Sequence, residues 1–215
     1  MSNTPYRRRL FAAVVLVALA NAASADDPEG GTLQFSKRCL VVQNDEGCAI
    51  ADLNRDGYPD LCLGATGRVL VETGQNPEDV NAQGAVEVYF GSSSFASGQM
   101  TIRPKVSDVL WLGDQEFSYM GYNAIAGEFD GSGREYLASA AVFADSRTLG
   151  STNGFVEILR SREAWETNTI LKSYERAVHD FRIIGPDRGR FGFGLTAADT
   201  NGDGIDEVVV GAPFL

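Results

Sequence analysis

Asp52-Leu53-Asn54-Arg55-Asp56-Gly57-Tyr58-Pro59-Asp60, running straight into Leu61-Cys62-Leu63-Gly64-Ala65, is the stretch that decides the fold. Oxygen-bearing side chains stand at loop positions 1, 3, 5 and 9, glycine stands at 6, and a short apolar run follows. The pattern returns at Asp199-Thr200-Asn201-Gly202-Asp203-Gly204-Ile205-Asp206-Glu207, followed by Val208-Val209-Val210-Gly211-Ala212-Pro213. Between them lies a weaker copy, Glu128-Phe129-Asp130-Gly131-Ser132-Gly133-Arg134-Glu135-Tyr136, followed by Leu137-Ala138-Ser139-Ala140-Ala141. The copies start 76 and 71 residues apart. Self-similarity at such a spacing marks a repeat architecture.

A second correspondence runs in phase with the first. Gly84-Ala85-Val86-Glu87-Val88-Tyr89-Phe90 matches Gly154-Phe155-Val156-Glu157-Ile158-Leu159-Arg160, and Leu112-Gly113 before Met120-Gly121 parallels Ile184-Gly185 before Phe191-Gly192. Each unit thus reads as strand, acidic loop, buried strand, linker, alternating strand and linker. The class is all-β, because glycine is abundant (24 residues), apolar runs are short and helix-length amphipathic patterns are scarce. Units with about four short strands are propeller blades rather than solenoid turns. Ser161 to His179 resists the repeat, with Trp165, Leu171 and Val178 among polar residues, and is expected to be a peripheral helix or loop feeding the outer strands.

The loops carry the chemistry. In a tight loop, alternate positions converge on one point, and glycine at position 6 permits the left-handed turn. The first loop offers Asp52, Asn54, Asp56, the carbonyl of Tyr58, and Asp60. The last offers Asp199, Asn201, Asp203, the carbonyl of Ile205, and Glu207. An all-oxygen set with loose geometry suits calcium better than magnesium. Ordinary Asx-rich turns need no metal, but carboxylates packed this closely repel one another unless a cation neutralises them. The helix-loop-helix calcium motif is excluded, since it needs a bidentate Glu at position 12, where Leu63 and Val210 stand. The middle copy has Glu128, Asp130 and Ser132 at positions 1, 3 and 5 but Tyr136 at 9, and reads as a vestigial loop.

These residues resemble the FG-GAP repeat family, the blade unit of the integrin α-subunit propeller. Phe191-Gly192 and Gly211-Ala212-Pro213 match both ends of the motif. The middle copy keeps Met120-Gly121 but has Ala140-Ala141-Val142, and the first has Gly64-Ala65-Thr66 with Asn44-Asp45 in place of Phe-Gly. The resemblance covers residues 47–215. It implies a β-propeller whose calcium loops rigidify blade hairpins, with ligand recognition on the other face, and it supplies no catalytic residue. Such propellers close with about seven blades. The expectation here is a partial propeller of about three blades, with repeats at about 36–95, 110–165 and 180–215, the last incomplete. Association with further propeller blades is the alternative way to cover the open faces.

Arg7, Arg8 and Arg9 precede an apolar run from Leu10 to about Ala20 and the small residues Ala23-Ser24-Ala25. This predicts a signal peptide over residues 1–25, cleaved after Ala25. The expected location is secreted, periplasmic or cell-surface, with no transmembrane segment in the mature chain. Residues 1–25 hold three of the 18 Lys+Arg and none of the 29 Asp+Glu, so the mature net charge is 15 − 29 = −14. That argues against nucleic acid as a partner. Cys39, Cys48 and Cys62 stand in a chain sent to an oxidising compartment. One disulfide and one free thiol is the simplest count, with the pairing open. Catalysis is not expected. The sole histidine, His179, sits in a linker, and no Gly-x-Ser-x-Gly elbow occurs. The leading expectation is a recognition or adhesion module for a protein or glycan ligand, with calcium as structural cofactor. The alternative is an accessory propeller domain of a secreted hydrolase.

Overall fold

A computed structural model describes residues 46–69, 81–93, 107–145, 152–163, 165, 169–172 and 180–214. Asn44–Ser92 with Val106–Leu215 form one compact unit. The second unit, Met1–Gln43 with Ser93–Lys105, lies outside the described residues except for Ser93. The expected signal peptide, Cys39 and His179 also fall outside them.

The described residues form eleven strands: β1 (Cys48–Ala51), β2 (Asp60–Gly64), β3 (Ala85–Tyr89), β4 (Val109–Leu112), β5 (Met120–Gly127), β6 (Tyr136–Ala141), β7 (Phe155–Arg160), β8 (Thr169–Lys172), β9 (Phe181–Ile184), β10 (Gly194–Ala198) and β11 (Glu207–Gly211). They build three sheets, ordered β1-β2-β3-β4-β8, β5-β6-β7-β9 and β10-β11. β1 to β4 of the first sheet pair antiparallel with one another, as do all four strands of the second. The all-β expectation holds.

The register shows why the three copies align. Their acidic loops close the hairpins β1–β2, β5–β6 and β10–β11 at the pairs Ala51↔Asp60, Gly127↔Tyr136 and Ala198↔Glu207. These pairs keep the 76- and 71-residue offsets of the sequence copies. Each hairpin therefore bridges the same number of residues.

Sheet boundaries and sequence repeats are offset from each other. β4, which includes Leu112 at the head of the second repeat, completes the first sheet, and β9, which ends on Ile184 at the head of the third, completes the second. The segment that resisted the repeat contributes a strand instead of a helix. β8 pairs in parallel with β4 at the outer edge of the first sheet. Trp165 from the same segment is buried in the core, where a large aromatic surface is best placed.

The core has two layers. One, with Val86, Val88, Trp111, Met120, Leu137, Phe155 and Leu159, lies between the first and second sheets. The other, with Tyr136, Ala138, Ala140, Val156 and Ile158 against Leu195, Val208 and Val210, lies between the second and third. Alternate residues of β6 and β7 enter alternate layers, as a period of two requires. β6 is buried at all six positions because it is covered on both faces, and so its sequence is apolar at every position but Ser139.

The glycine of the Phe-Gly pair serves this stacking. Gly121 and Gly192 both have left-handed φ, 91° and 93°. A Cβ on Gly192 would lie 2.6 Å from the Cβ of Ala140, the residue that stands where the first copy has Gly64, and one on Gly121 would strike the Ala85 carbonyl oxygen. One end of the motif thus packs on inner strands of the preceding sheet, Gly192 on β6 and Gly121 on β3. Only glycine meets both demands.

Between the first two sheets, Arg182 of β9 joins two carboxylates. It pairs across the ladder with Glu157, donating from Nε at 2.6 Å, and reaches Asp114 with Nη1 at 2.8 Å. Its guanidinium carbon lies 4.4 Å from the centroid of the Phe155 ring. Cys48 and Cys62 are free thiols, the first exposed and the second buried. Burial pushes the Cys62 thiol well up from its ordinary value. No helix among the described residues is long and apolar enough to cross a membrane.

Candidate metal centre

The first and third loops fold on the same internal hydrogen bonds. Asp52 at position 1 accepts the amides of Asp56 (3.1 Å) and Gly57 (2.9 Å). Asp199 accepts those of Gly202 (2.6 Å), Asp203 (3.2 Å) and Gly204 (2.9 Å). At position 3, Asn54 and Asn201 accept the amides of Asp56 (3.1 Å) and Asp203 (2.8 Å). At position 5, Asp56 and Asp203 accept those of Tyr58 (2.8 Å) and Ile205 (2.9 Å). These bonds turn the side chains of positions 1, 3 and 5 inward over their own backbone. Positive φ at Gly57 (86°), Gly202 (83°) and Gly204 (87°) makes the turn.

Position 9 sits at the root of each hairpin. Asp60 is fully buried and accepts the amides of Leu53 (2.8 Å), Asn54 (3.4 Å) and, from beyond β3, Gly91 (2.8 Å). Glu207 accepts the amide of Thr200 at 2.8 Å, its hydroxyl at 2.5 Å and the Asn201 side-chain amide at 2.9 Å. Leu53 and Thr200 both occupy position 2, so the position-9 acid caps the loop start in both copies.

Among the described residues, no three His, Cys, Asp or Glu side chains are close enough together to hold a metal ion. The donor set nevertheless fits a hard cation. All of it is oxygen, positions 1 and 5 are carboxylates, and a carboxylate has about four lone-pair sites. Hydrogen bonds from backbone N–H groups hold each acid in place while leaving lone pairs over. The Asn at position 3 is what keeps the acid count down. In the first loop its amide group donates to Asp56 at 3.0 Å and would have to turn away from an ion.

The electrostatics differ between the loops. Backbone hydrogen bonds, from Gly204 above all, lower the Asp199 carboxyl. Burial raises the Asp60 carboxyl from 3.8 to about 6, against the amides that lower it. An acid whose folded-state value is raised favours the folded chain most below pH 3.8, and that contribution is lost as pH rises through about 6. In chelator, the urea midpoint is therefore expected to carry a downward component from pH 4 to pH 7, absent in Asp60→Asn. A cation at the loop would cancel it by favouring the ionised acid.

The middle loop is built differently. Glu128 accepts the amide of Asp130 at 3.0 Å, and Asp130 accepts that of Ser132 at 3.0 Å. Tyr136, at position 9, donates its hydroxyl to Asp130 at 2.5 Å.

Sequence reading missed a link between neighbouring hairpins. Glu135 accepts the amide of Asp52, and Asp206 accepts the amide of Glu128 at 3.0 Å. Both acids stand at position 8, and both amides belong to position 1 of the preceding copy. The signal was an acid at position 8 in the second and third copies, where the first has Pro59. The loops are thereby chained in order.

Residues 191–215 match the FG-GAP repeat family model. The chain is 27% identical over 130 residues to integrin alpha-PS2 of Drosophila melanogaster, covering 58% of this chain and 8% of that protein. It is 31% identical over 99 residues to integrin alpha-8 of Gallus gallus, covering 45% of this chain and 8% of that protein. The matched segments therefore span less than a tenth of the length of these curated relatives.

Proposed function

We propose that this FG-GAP repeat chain, integrin-alpha-like over more than half of its residues, is an exported recognition or adhesion module whose β-propeller blades are stabilised by calcium. The observation that carries the reading is the matching pattern of backbone N–H hydrogen bonds to the side chains at positions 1, 3 and 5 of the first and third loops. Asp52, Asn54, Asp56 and Asp60 would hold one ion with the Tyr58 carbonyl. Asp199, Asn201, Asp203 and Glu207 would hold a second with the carbonyl of Ile205. Bound there, calcium supplies the positive charge that closely packed carboxylates lack. The chain's own residues set the loops on rigid hairpins and chain them through Glu135 and Asp206.

The likeness to integrin alpha chains favours a binding module over an enzyme, with a protein or glycan ligand. A net charge of −11 disfavours nucleic acid. Export rests on the N-terminal sequence pattern.

For extracellular-type sites with dissociation constants around 10⁻⁴ M, 1 mM calcium adds roughly 1.4 kcal/mol per site. The unfolding free energy is expected to rise by about 3 kcal/mol between chelator and 1 mM calcium. Urea denaturation followed by circular dichroism measures it. Equal midpoints in the two buffers would remove calcium from the account.

A further inference from the structure

The middle loop has lost its position-9 acid but keeps a carboxylate at position 3, and a cation already stands beside it. Arg160 ends β7 directly across the ladder from Tyr136. Its Nη2 donates to Asp130 at 3.1 Å and its Nε to the Tyr136 hydroxyl at 2.8 Å, while Tyr136 donates to the same Asp130 oxygen. The guanidinium carbon also lies 5.3 Å from the centroid of the Tyr136 ring. Aspartate, phenol and guanidinium thus close a ring of three contacts.

The first copy supplies the contrast. The alignment of Gly84 with Gly154 sets Phe90 against Arg160, and the alignment of the loops from Asp52 and Glu128 sets Asp60 against Tyr136. In the first copy, where position 9 is an acid, its partner is apolar, and the loop's own arginine, Arg55, pairs with Glu163 at 2.6 Å. Where position 9 is a phenol, its partner is an arginine. A guanidinium is charged at every relevant pH and forms directed bonds to carboxylate oxygens.

We propose that Arg160 is the resident cation of the middle loop, supplying through Asp130 and Tyr136 the positive charge that the first and third loops take from a metal ion. The middle hairpin then holds its shape whether or not calcium is present. Hydrogen bonds from Ser132 and Tyr136 hold the Asp130 carboxyl well below the usual carboxylate range, in keeping with an acid that stays ionised. The proposal rests on the calcium reading only for its contrast with the other two loops.

The test is native-state amide hydrogen exchange on the full chain, in chelator and in 1 mM calcium, for the parent, Arg160→Gln and Arg160→Lys. In the parent, the amides of Asp130 and Ser132 are expected to exchange at the same rate in both buffers. Arg160→Gln should accelerate them about tenfold in both, with the amides of Asp56 and Asp203 unchanged. Arg160→Lys, which keeps the charge, should recover most of the protection. Slowing of the parent's Asp130 and Ser132 amides by calcium would overturn the proposal, as would equal rates in Arg160→Gln and the parent. A lysine variant as fast as the glutamine variant would show that charge is not what holds the loop. If Asp56 and Asp203 ignore calcium, the calcium reading fails while the Arg160 comparison still reads.

Discussion

Arg182→Leu is expected to destabilise the folded chain by about 3–5 kcal/mol, the range for stripping one partner from a buried ion pair. Glu157 is fully buried in the second sheet, and the Asp114 side chain is 3% exposed beside the first. Arg182 answers both at once and stacks on Phe155. Without it, two nearly buried carboxylates lose the guanidinium they share, although the Arg182 side chain itself is 23% exposed. The urea midpoint measures the loss. The double variant Arg182→Leu/Glu157→Leu should recover a large part of it, because an apolar pair of similar volume removes the stranded charge. A loss below about 1 kcal/mol, typical of exposed pairs, would mean that the cluster is solvated.

Leu137→Ala should cost about 2–5 kcal/mol. Leu137 has no exposed surface, lies on the central strand β6 and enters the layer shared with Val86, Trp111 and Leu159. Sheets on both sides of β6 limit how far the site can collapse around the cavity. The same truncation at Val209, which is 48% exposed, is expected to change the midpoint little. The two urea midpoints, measured side by side, check whether β6 is the doubly covered layer.

Much of this was legible in the residues themselves. A loop of fixed length between two strands fixes the register, so the copies of Asp52, Glu128 and Asp199 announced three equivalent hairpins. The alternation in 84–90 and 154–160 announced the third strand of the first and second sheets. Sheet membership at the edges was not legible. Leu112 belongs by sequence to the second repeat and by hydrogen bonding to the first sheet, because a repeat is counted from a motif and a sheet from its ladder. β8 was hidden for a related reason. Four residues at a sheet edge carry little pattern, and their parallel pairing with β4 is long-range.

The candidate site divides in the same way. The oxygen pattern of Asp52 to Asp60 and Asp199 to Glu207 was visible because alternate positions of one short loop must converge. The groups that hold the loops were not, since each depends on a residue far along the chain: Gly91 on Asp60, Asp206 on Glu128, and Arg160 on Asp130. Tyr136 looked like a lost ligand, and in the folded chain it is half of a different lock.

The most direct test of the central claim is a calorimetric titration of calcium into the chelator-stripped full chain, with Asp56→Ala and Asp203→Ala alongside. Two sites are predicted, one lost in each variant and both retained in Arg160→Gln. No calcium heat from a chain that still shows β-structure by circular dichroism would contradict the account, and would leave the acidic loops as turns held by their own amides.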